Sequence, residues 1–287
     1  MAGLISNLVQ RESLERFLRD RLSEPLHLNL LSLPIALFGS TRSKIYFDLC
    51  ARPQHAYGLL AAADRARALG YDRSTVIEFG VGSGAGLLNL CELGERVASE
   101  TGIGFDIVGF DTGSGMPDAL DYRDHPEFYE LRSLSLQAPE RLRAALPKNA
   151  ELIIGPLRAT VSEFDPRSPI GFVSMDVNYY SCARDCLNVF TRAAHKYQPV
   201  VDVYLDDIAA AGHNEWCGEL RAVREFSDAH ETRRIARTNF LREQRLFKNA
   251  SWISQFYSLY VLDHPARSSA FAAAQPTVAN PSLRLAL

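Results

Sequence analysis

Residues 76–86 read VIEFGVGSGAG. Residues 76–79 form a short apolar run suited to a buried strand. Gly80, Gly82, Gly84 and Gly86 follow at once, and Leu87, Leu88 and Leu90 then open a helical pattern. A strand that passes through a glycine turn into a helix brings backbone amides close to a ligand, because a Cβ there would stand in the way. Such a turn is common to many nucleotide sites. Its neighbours decide what it binds.

Glu78 lies two residues before Gly80, inside the apolar strand. A buried acid is costly unless a cation or a hydrogen-bond donor meets it. It would repel a nucleotide phosphate and attract a positively charged aminoacyl group. The run Glu78-Phe79-Gly80-Val81-Gly82-Ser83-Gly84 therefore favours S-adenosylmethionine over NAD. The plainer alternative is a surface-edge glutamate beside a turn. Asp111 ends the next apolar run, in IVGFDTGSGMP, where a carboxylate can accept both hydroxyls of a ribose. Its distance from the glycine loop exceeds the roughly 20 residues of the NAD fingerprint. Asp111 could instead cap the turn Thr112-Gly113, and Thr112 joins it as a candidate cofactor contact.

From Thr75 onward, short apolar runs at 76–79, 105–110, 151–154, 171–175 and 200–205 alternate with helical or loop segments. That alternation predicts a parallel sheet with helices on both faces. Residues 233–237 and 255–262 are read as a closing pair of strands. Upstream, residues 4–22 carry apolar side chains at helical spacing, and 56–69 form a second helical run ended by Gly70. The apolar segment 26–38 is expected to break at Pro34 and Gly39, as a core-covering loop, a subunit contact or a lid. The expected organisation is a helical extension or lid over 1–72, one α/β domain over 73–264, and a flexible tail over 265–287.

Asp176 ends the fourth run, and Asp206 and Asp207 end the fifth. In a parallel sheet they share the edge of the glycine loop, where three carboxylates would suit Mg²⁺ with water and substrate oxygens. Otherwise Asp206 or Asp207 caps a helix starting near Asn214 or Glu215. Methyl transfer displaces a sulfonium in line, and a cation on the acceptor oxygen would lower its pKa and orient it. Asp176, His125 and His213 are the candidate catalytic groups, the histidines as general bases. Either histidine could equally be a loop residue. Only one of Tyr179 and Tyr180 is expected to reach an acceptor, and Trp216 and Trp252 are read as acceptor or core aromatics. Glu215, Glu219 and Glu225, with Arg221 and Arg224, read as a solvated helix face.

The chain has 287 residues, a formal net charge of −3, and 47% hydrophobic and 23% charged residues. This is the balance of an ordinary globular protein. No Lys/Arg cluster dominates, which disfavours a nucleic-acid partner. Residues 26–38 are too short to span a bilayer, so no membrane partner is expected. Charges crowd in from Arg11 onward with no clear cleavage site, which argues against a signal peptide. Cys50, Cys91, Cys182, Cys186 and Cys217 lack metal-ligand spacing and read as buried thiols of a cytoplasmic protein. The expected partner is a small hydroxylated acceptor, with homo-oligomers left open.

The stretches VIEFGVGSGAG, GFDTGSGMP, MDVNYYS and LDDI resemble the class I methyltransferases, most closely the macrocin O-methyltransferase-like group. The resemblance covers roughly residues 75–263. It implies a Rossmann-like, seven-stranded, mostly parallel sheet with the last strand antiparallel, and S-adenosylmethionine on the first two motifs. It also implies Mg²⁺ on Asp176, Asp206 and Asp207, and a hydroxyl acceptor such as a natural-product sugar. Two departures stand out: Asn178 replaces an acid of the family pattern, and Cys182-Ala183 replace a Ser-Thr pair. The competing readings are an NAD-dependent oxidoreductase and a non-catalytic S-adenosylmethionine-binding protein.

Overall fold

The computed structural model describes residues 19–128, 136, 138–209 and 212–268. One sheet has the strand order β3-β2-β1-β4-β5-β7-β6. Its strands are β1 Arg73–Phe79, β2 Gly104–Asp111, β3 Ala150–Ile154, β4 Ile170–Met175, β5 Tyr197–Leu205, β6 Arg233–Arg237 and β7 Phe256–Val261. Neighbours among β1 to β5 pair in parallel, while β7 runs antiparallel to both β5 and β6. Each predicted strand is present, and the antiparallel last strand implied by the resemblance is found.

The helices are α1 Leu26–Phe38, α2 Thr41–Tyr46, α3 Pro53–Ala68, α4 Ala85–Thr101, α5 Pro139–Ala145, α6 Leu157–Glu163, α7 Tyr180–Leu187, α8 Gly218–Ala229 and α9 Leu241–Gln244. Side chains alternate across each strand. Val76 therefore joins a core with Ala56, Leu59 and Ala63 of α3 and Leu87 and Leu90 of α4. Ile77 and Phe79 face the other way, onto Val161 of α6, Ala183 of α7 and Val223 of α8. Both faces are covered, which explains why the parallel strands read as near-continuous apolar runs. Arg65 of α3 fixes that helix to the sheet, donating to Asp202 at 2.8 Å and to the carbonyl of Gly171 at 3.1 Å.

Three local expectations change. Residues 26–38 form one continuous helix through Pro34 rather than breaking there. Proline removes a single intrahelical donor, the one that would reach the carbonyl of Leu30, and the helix runs on past it along an exposed face. The helix after β5 starts at Gly218, later than the predicted 214 or 215, and a 3₁₀ turn Asp207–Ala209 comes first. Glu219 does not lie on a solvated face but is fully buried. The helix predicted over 4–22 lies outside the described residues up to 18, and so does the tail from 269. No helix among the described residues is long and apolar enough to cross a membrane.

The chain leaves β1 toward β2 and β3 on one side and returns to β4 and β5 on the other. The crevice between the carboxyl ends of β1 and β4 is thus the switch point, where open α/β sheets bind ligands.

Candidate active site at the switch point

Beyond β1, the amide of Gly80 donates to the carbonyl of Phe110 at 2.9 Å, and the amide of Asp176 donates to the carbonyl of Phe79 at 3.0 Å. These bonds carry the ladder past the strand ends and draw three loops together. Gly80 has φ +82°, and a Cβ on it would stand 1.8 Å from the carbonyl oxygen of Asp176. Only glycine fits there. Gly82 and Gly84 are also left-handed, and a Cβ on Gly82 would meet no atom within 4 Å. The loop is therefore tight against β4 at Gly80 and open at Gly82.

Asp111 is buried and braces that loop. One carboxylate oxygen accepts from the amide of Gly82 at 2.9 Å, and the other accepts from the amide of Gly113 at 2.7 Å. The sequence left a ribose acceptor and a turn cap as alternatives; the turn cap is present, and Asp111 additionally holds the glycine loop. Thr112 donates its hydroxyl to the carbonyl of Gly115 at 2.8 Å, closing its own turn.

Glu78 is buried rather than at a surface edge, on the face covered by α3 and α4. Its carboxyl lies against the first turn of α4, where a Cβ on Gly86 would fall 1.9 Å from Oε1. Oε2 is buried without a hydrogen-bond partner. Burial pushes the Glu78 carboxyl up to about 8, with Arg52 opposing and the charges of Asp111 and Asp206 adding to the rise. An orphaned buried carboxyl beneath a glycine loop is what a cationic ligand group would satisfy. On the same face, His55 of α3 shares a 3.2 Å hydrogen bond with Ser174, the residue paired with Glu78 across β1 and β4. Burial and the nearby Arg52 hold His55 down to about 3, so it stays neutral.

Across the crevice, β4 and β5 deliver the three aspartates. Asp176 is exposed to solvent just past the end of β4, yet protein packs closely around its carboxyl. That desolvation, and then the charges of Asp206, Asp207 and Glu78, push its carboxyl well above the ordinary range. Asp207 is pushed up to about 7 by desolvation and by Asp206, against two hydrogen bonds from Asn178. Those bonds come from the Asn178 amide at 2.8 Å and its side-chain nitrogen at 2.5 Å, and they engage both Asp207 oxygens. Glu219 accepts from the amide of Asp207 at 3.3 Å, and its Oε1 has no hydrogen-bond partner. Burial raises its carboxyl well above the usual range, and Asp207, Asp176 and Asp206 add to that. Among the described residues, no group of three or more His, Cys, Asp or Glu side chains is arranged to hold a metal ion. The three aspartates sit near one another without forming a ready chelate.

The two candidate histidines meet over this edge. Their ring centroids are 5.0 Å apart, and Phe128 lies 5.3 Å from His125 and 6.4 Å from His213. A Cβ on Gly218 would stand 3.6 Å from His125, from His213 and from the carbonyl of Asn178. The pair is thus close to the loop that carries Asn178. His125 is buried and left-handed at φ +52°, and its Nε2 has no hydrogen-bond partner. Burial and the neighbouring His125 lower the His213 pKa.

Asp124, which the sequence did not single out, holds this loop down. It is fully buried and accepts from the amide of Ser181 at 2.8 Å, the Ser181 hydroxyl at 3.1 Å and the amide of Leu120 at 2.8 Å. Arg123 adds a clamp by donating to the Tyr180 hydroxyl at 3.1 Å, while that hydroxyl donates to Glu225 at 2.5 Å. Tyr180 is the tyrosine that points into the core, and Tyr179 is buried as well. Trp252 packs in the core, whereas Trp216 is exposed under Arg224. Asp124 carried no sequence signal, Glu219 read as a solvated residue, and Gly86 read as a turn glycine; each acts through a tertiary neighbour. All five cysteines are free thiols, but only Cys91 and Cys186 are buried, while Cys50, Cys182 and Cys217 are half-buried; desolvation still pushes Cys182 up to about 12.

No family model matches the chain, and no curated protein matches it. Among solved structures, it is similar to the calicheamicin methyltransferase CalS11, with 20% identity over 75% of this chain and 83% of that one and a TM-score of 0.47. It is also similar to the O-methyltransferase NovP, with 17% identity over 62% and 72% of the two chains and a TM-score of 0.46. A third is the O-methyltransferase TomG from Streptomyces achromogenes, involved in tomaymycin synthesis and solved with SAM, with 14% identity over 73% and 79% and a TM-score of 0.39. At 20% identity or less and TM-scores of 0.47 or less, these likenesses lend no residue its role.

Proposed function

We propose that the protein is an enzyme that transfers the methyl group of S-adenosylmethionine to a hydroxyl of a small molecule. The observation that carries this reading is Glu78: a buried carboxyl with an orphaned oxygen, in space left by Gly86, beside a glycine loop braced by Asp111. The cofactor's ammonium and sulfonium charges match such a group, whereas the pyrophosphate of a dinucleotide would be repelled. Gly80, Gly82 and Gly84 let the backbone approach the ligand, and Asp111 retains lone pairs for a ribose. Thr112 stands beside it.

The bound cofactor supplies the electrophilic methyl carbon. A carbon–oxygen bond forms as the carbon–sulfur bond breaks, the sulfonium electron pair stays on sulfur, and the acceptor proton passes to a base. His213, kept neutral by its lowered pKa, and His125, with its free buried Nε2, are the bases in this reading. Asp176, beside Gly80, orients the acceptor oxygen. The segment before Thr75 shapes the acceptor side. Magnesium enters only as an addition on Asp176 and Asp206 completed by substrate and water, since Asn178 engages Asp207. No step depends on it.

Calorimetry with S-adenosylmethionine, S-adenosylhomocysteine and NAD, followed by mass spectrometry over a panel of hydroxylated acceptors, tests the proposal. Binding of the first two and a product heavier by one methylene are expected. Tight NAD binding alone would sink the assignment. Cofactor binding without turnover over the panel would favour a non-catalytic binding protein.

A further inference from the structure

Helix α1 carries an apolar face that the described residues leave uncovered. Leu26, Leu30, Leu33 and Leu37 are 58–74% exposed, and Leu31 and Phe38 beside them are 53% and 86% exposed. The first four are spaced four, three and four residues apart. That is the spacing of a coiled-coil seam, in which each side chain enters a hole on a facing helix. The opposite face, with Ser32 buried and Leu28 and Ile35 half-buried, is the one turned to this chain.

The helix is held in place at its N-terminal side. Asp20 accepts from the amide and hydroxyl of Ser251 at 2.9 and 3.0 Å, and Glu24 accepts from the amide of Asn249 at 2.5 Å. Arg21 donates to the carbonyl of Asp48 at 3.0 Å and lies 4.0 Å over the ring of Phe247. Beyond the helix, Arg42 of α2 makes a two-pronged bond to Asp64 of α3 at 2.6 and 2.7 Å. The leucines are therefore presented from a fixed support.

Single exposed leucines need no explanation, but a contiguous patch of this size marks an interaction site. Six large apolar side chains, each more than half exposed, approach the scale of the roughly 800 Å² that each partner gives to a stable interface. Residues 26–38 contain no Lys, Arg, Asp or Glu. A membrane-surface helix would carry Lys or Arg on its polar face. An uncharged seam also lacks the charge pattern that selects a different partner. A self-complementary leucine seam suits a twofold contact, in which the same patch meets itself.

We propose that α1 is the dimer interface of this protein, packing against α1 of a second copy along Leu26, Leu30, Leu33 and Leu37. Sedimentation equilibrium of the full chain tests it. Wild type is expected at twice the 31.9 kDa of one chain at about 20 µM. A Leu30→Glu/Leu33→Glu variant is expected at the single-chain mass while still unfolding in one cooperative thermal transition, lowered by the lost association. Leu262→Glu, at another exposed leucine, stays at the doubled mass. A Leu33→Cys variant under mild oxidation gives a second readout: a covalent dimer is expected, absent from wild type. Wild type at the single-chain mass would overturn the proposal, as would an unaltered doubled mass in the double variant. Pelleting of monomeric wild type with anionic vesicles would overturn it in favour of a membrane surface.

Discussion

The two banks of the crevice are built differently. On the β1–β2 bank, backbone does most of the shaping: Gly80 is pressed against the carbonyl of Asp176, Gly82 faces open space, and Asp111 ties the loop through two amides. On the β4–β5 bank, side chains face one another: Asn178 holds Asp207, Asp207 meets Glu219, and His125 packs on His213. A backbone cradle is ready to accept a ligand without rearrangement. A side-chain cluster already bonded within itself, as Asp207 is to Asn178, must exchange partners when its ligand arrives. The first bank thus suits an invariant methyl donor, and the second a variable acceptor.

The backbone-built bank is most sensitive at Gly80. Gly80→Ala places a Cβ against a backbone carbonyl at a left-handed φ, with no flexible atom to give way. A loss of more than about 2 kcal/mol by urea denaturation is expected, with no measurable cofactor binding. Next is the contrast between the acids of the two banks. Asp111→Ala removes two charge-assisted bonds and is expected to weaken S-adenosylhomocysteine about 100-fold by calorimetry, whereas Asp207→Ala should change it less than about threefold. Equal losses would erase the division between the banks.

Gly86→Ala is expected to weaken cofactor binding about 10-fold, because its Cβ displaces the Glu78 carboxyl. In a Glu78→Ala background the same change should cost little, and a double-mutant cycle reads that coupling. On the other bank, Asn178→Asp sets a carboxylate against Asp207 in place of a donor. Its melting temperature is expected to fall by about 4 °C, and Mg²⁺ should recover it in the variant while leaving wild type unmoved. The smallest effect is in pH. The folded chain holds protons on Glu78 and Asp207 that the unfolded chain releases above its ordinary carboxylate range. Stability without cofactor should therefore fall as pH rises from about 5 to 8. Glu78→Gln is expected to flatten that slope by about 1 kcal/mol per pH unit.

The sheet was legible because both of its faces are covered, so its parallel strands carry uninterrupted apolar runs bounded by polar punctuation. The β1–β2 bank was legible for a related reason: glycines and an acid at a strand end are local requirements of a tight turn. The β4–β5 bank was not. Glu219 looked solvated because Glu215, Glu225, Arg221 and Arg224 surround it in sequence, yet Gly218 begins the helix and turns Glu219 inward beneath Asp207. Asp124 had no motif, since its partners in α7 lie 57 residues away. Pro34 misled in the opposite sense, because it removes only one donor of a thirteen-residue helix that continues past it.

The crevice beside Glu78 is the proposed methyl-donor site. Titration calorimetry of the full chain with S-adenosylhomocysteine, beside the Glu78→Ala and Gly82→Val variants, tests it most directly. One site per chain with a dissociation constant on the order of micromolar is expected for wild type, and at least a tenfold loss in each variant. Wild type that takes up no S-adenosylhomocysteine, or variants that bind it as well as wild type, would contradict the account.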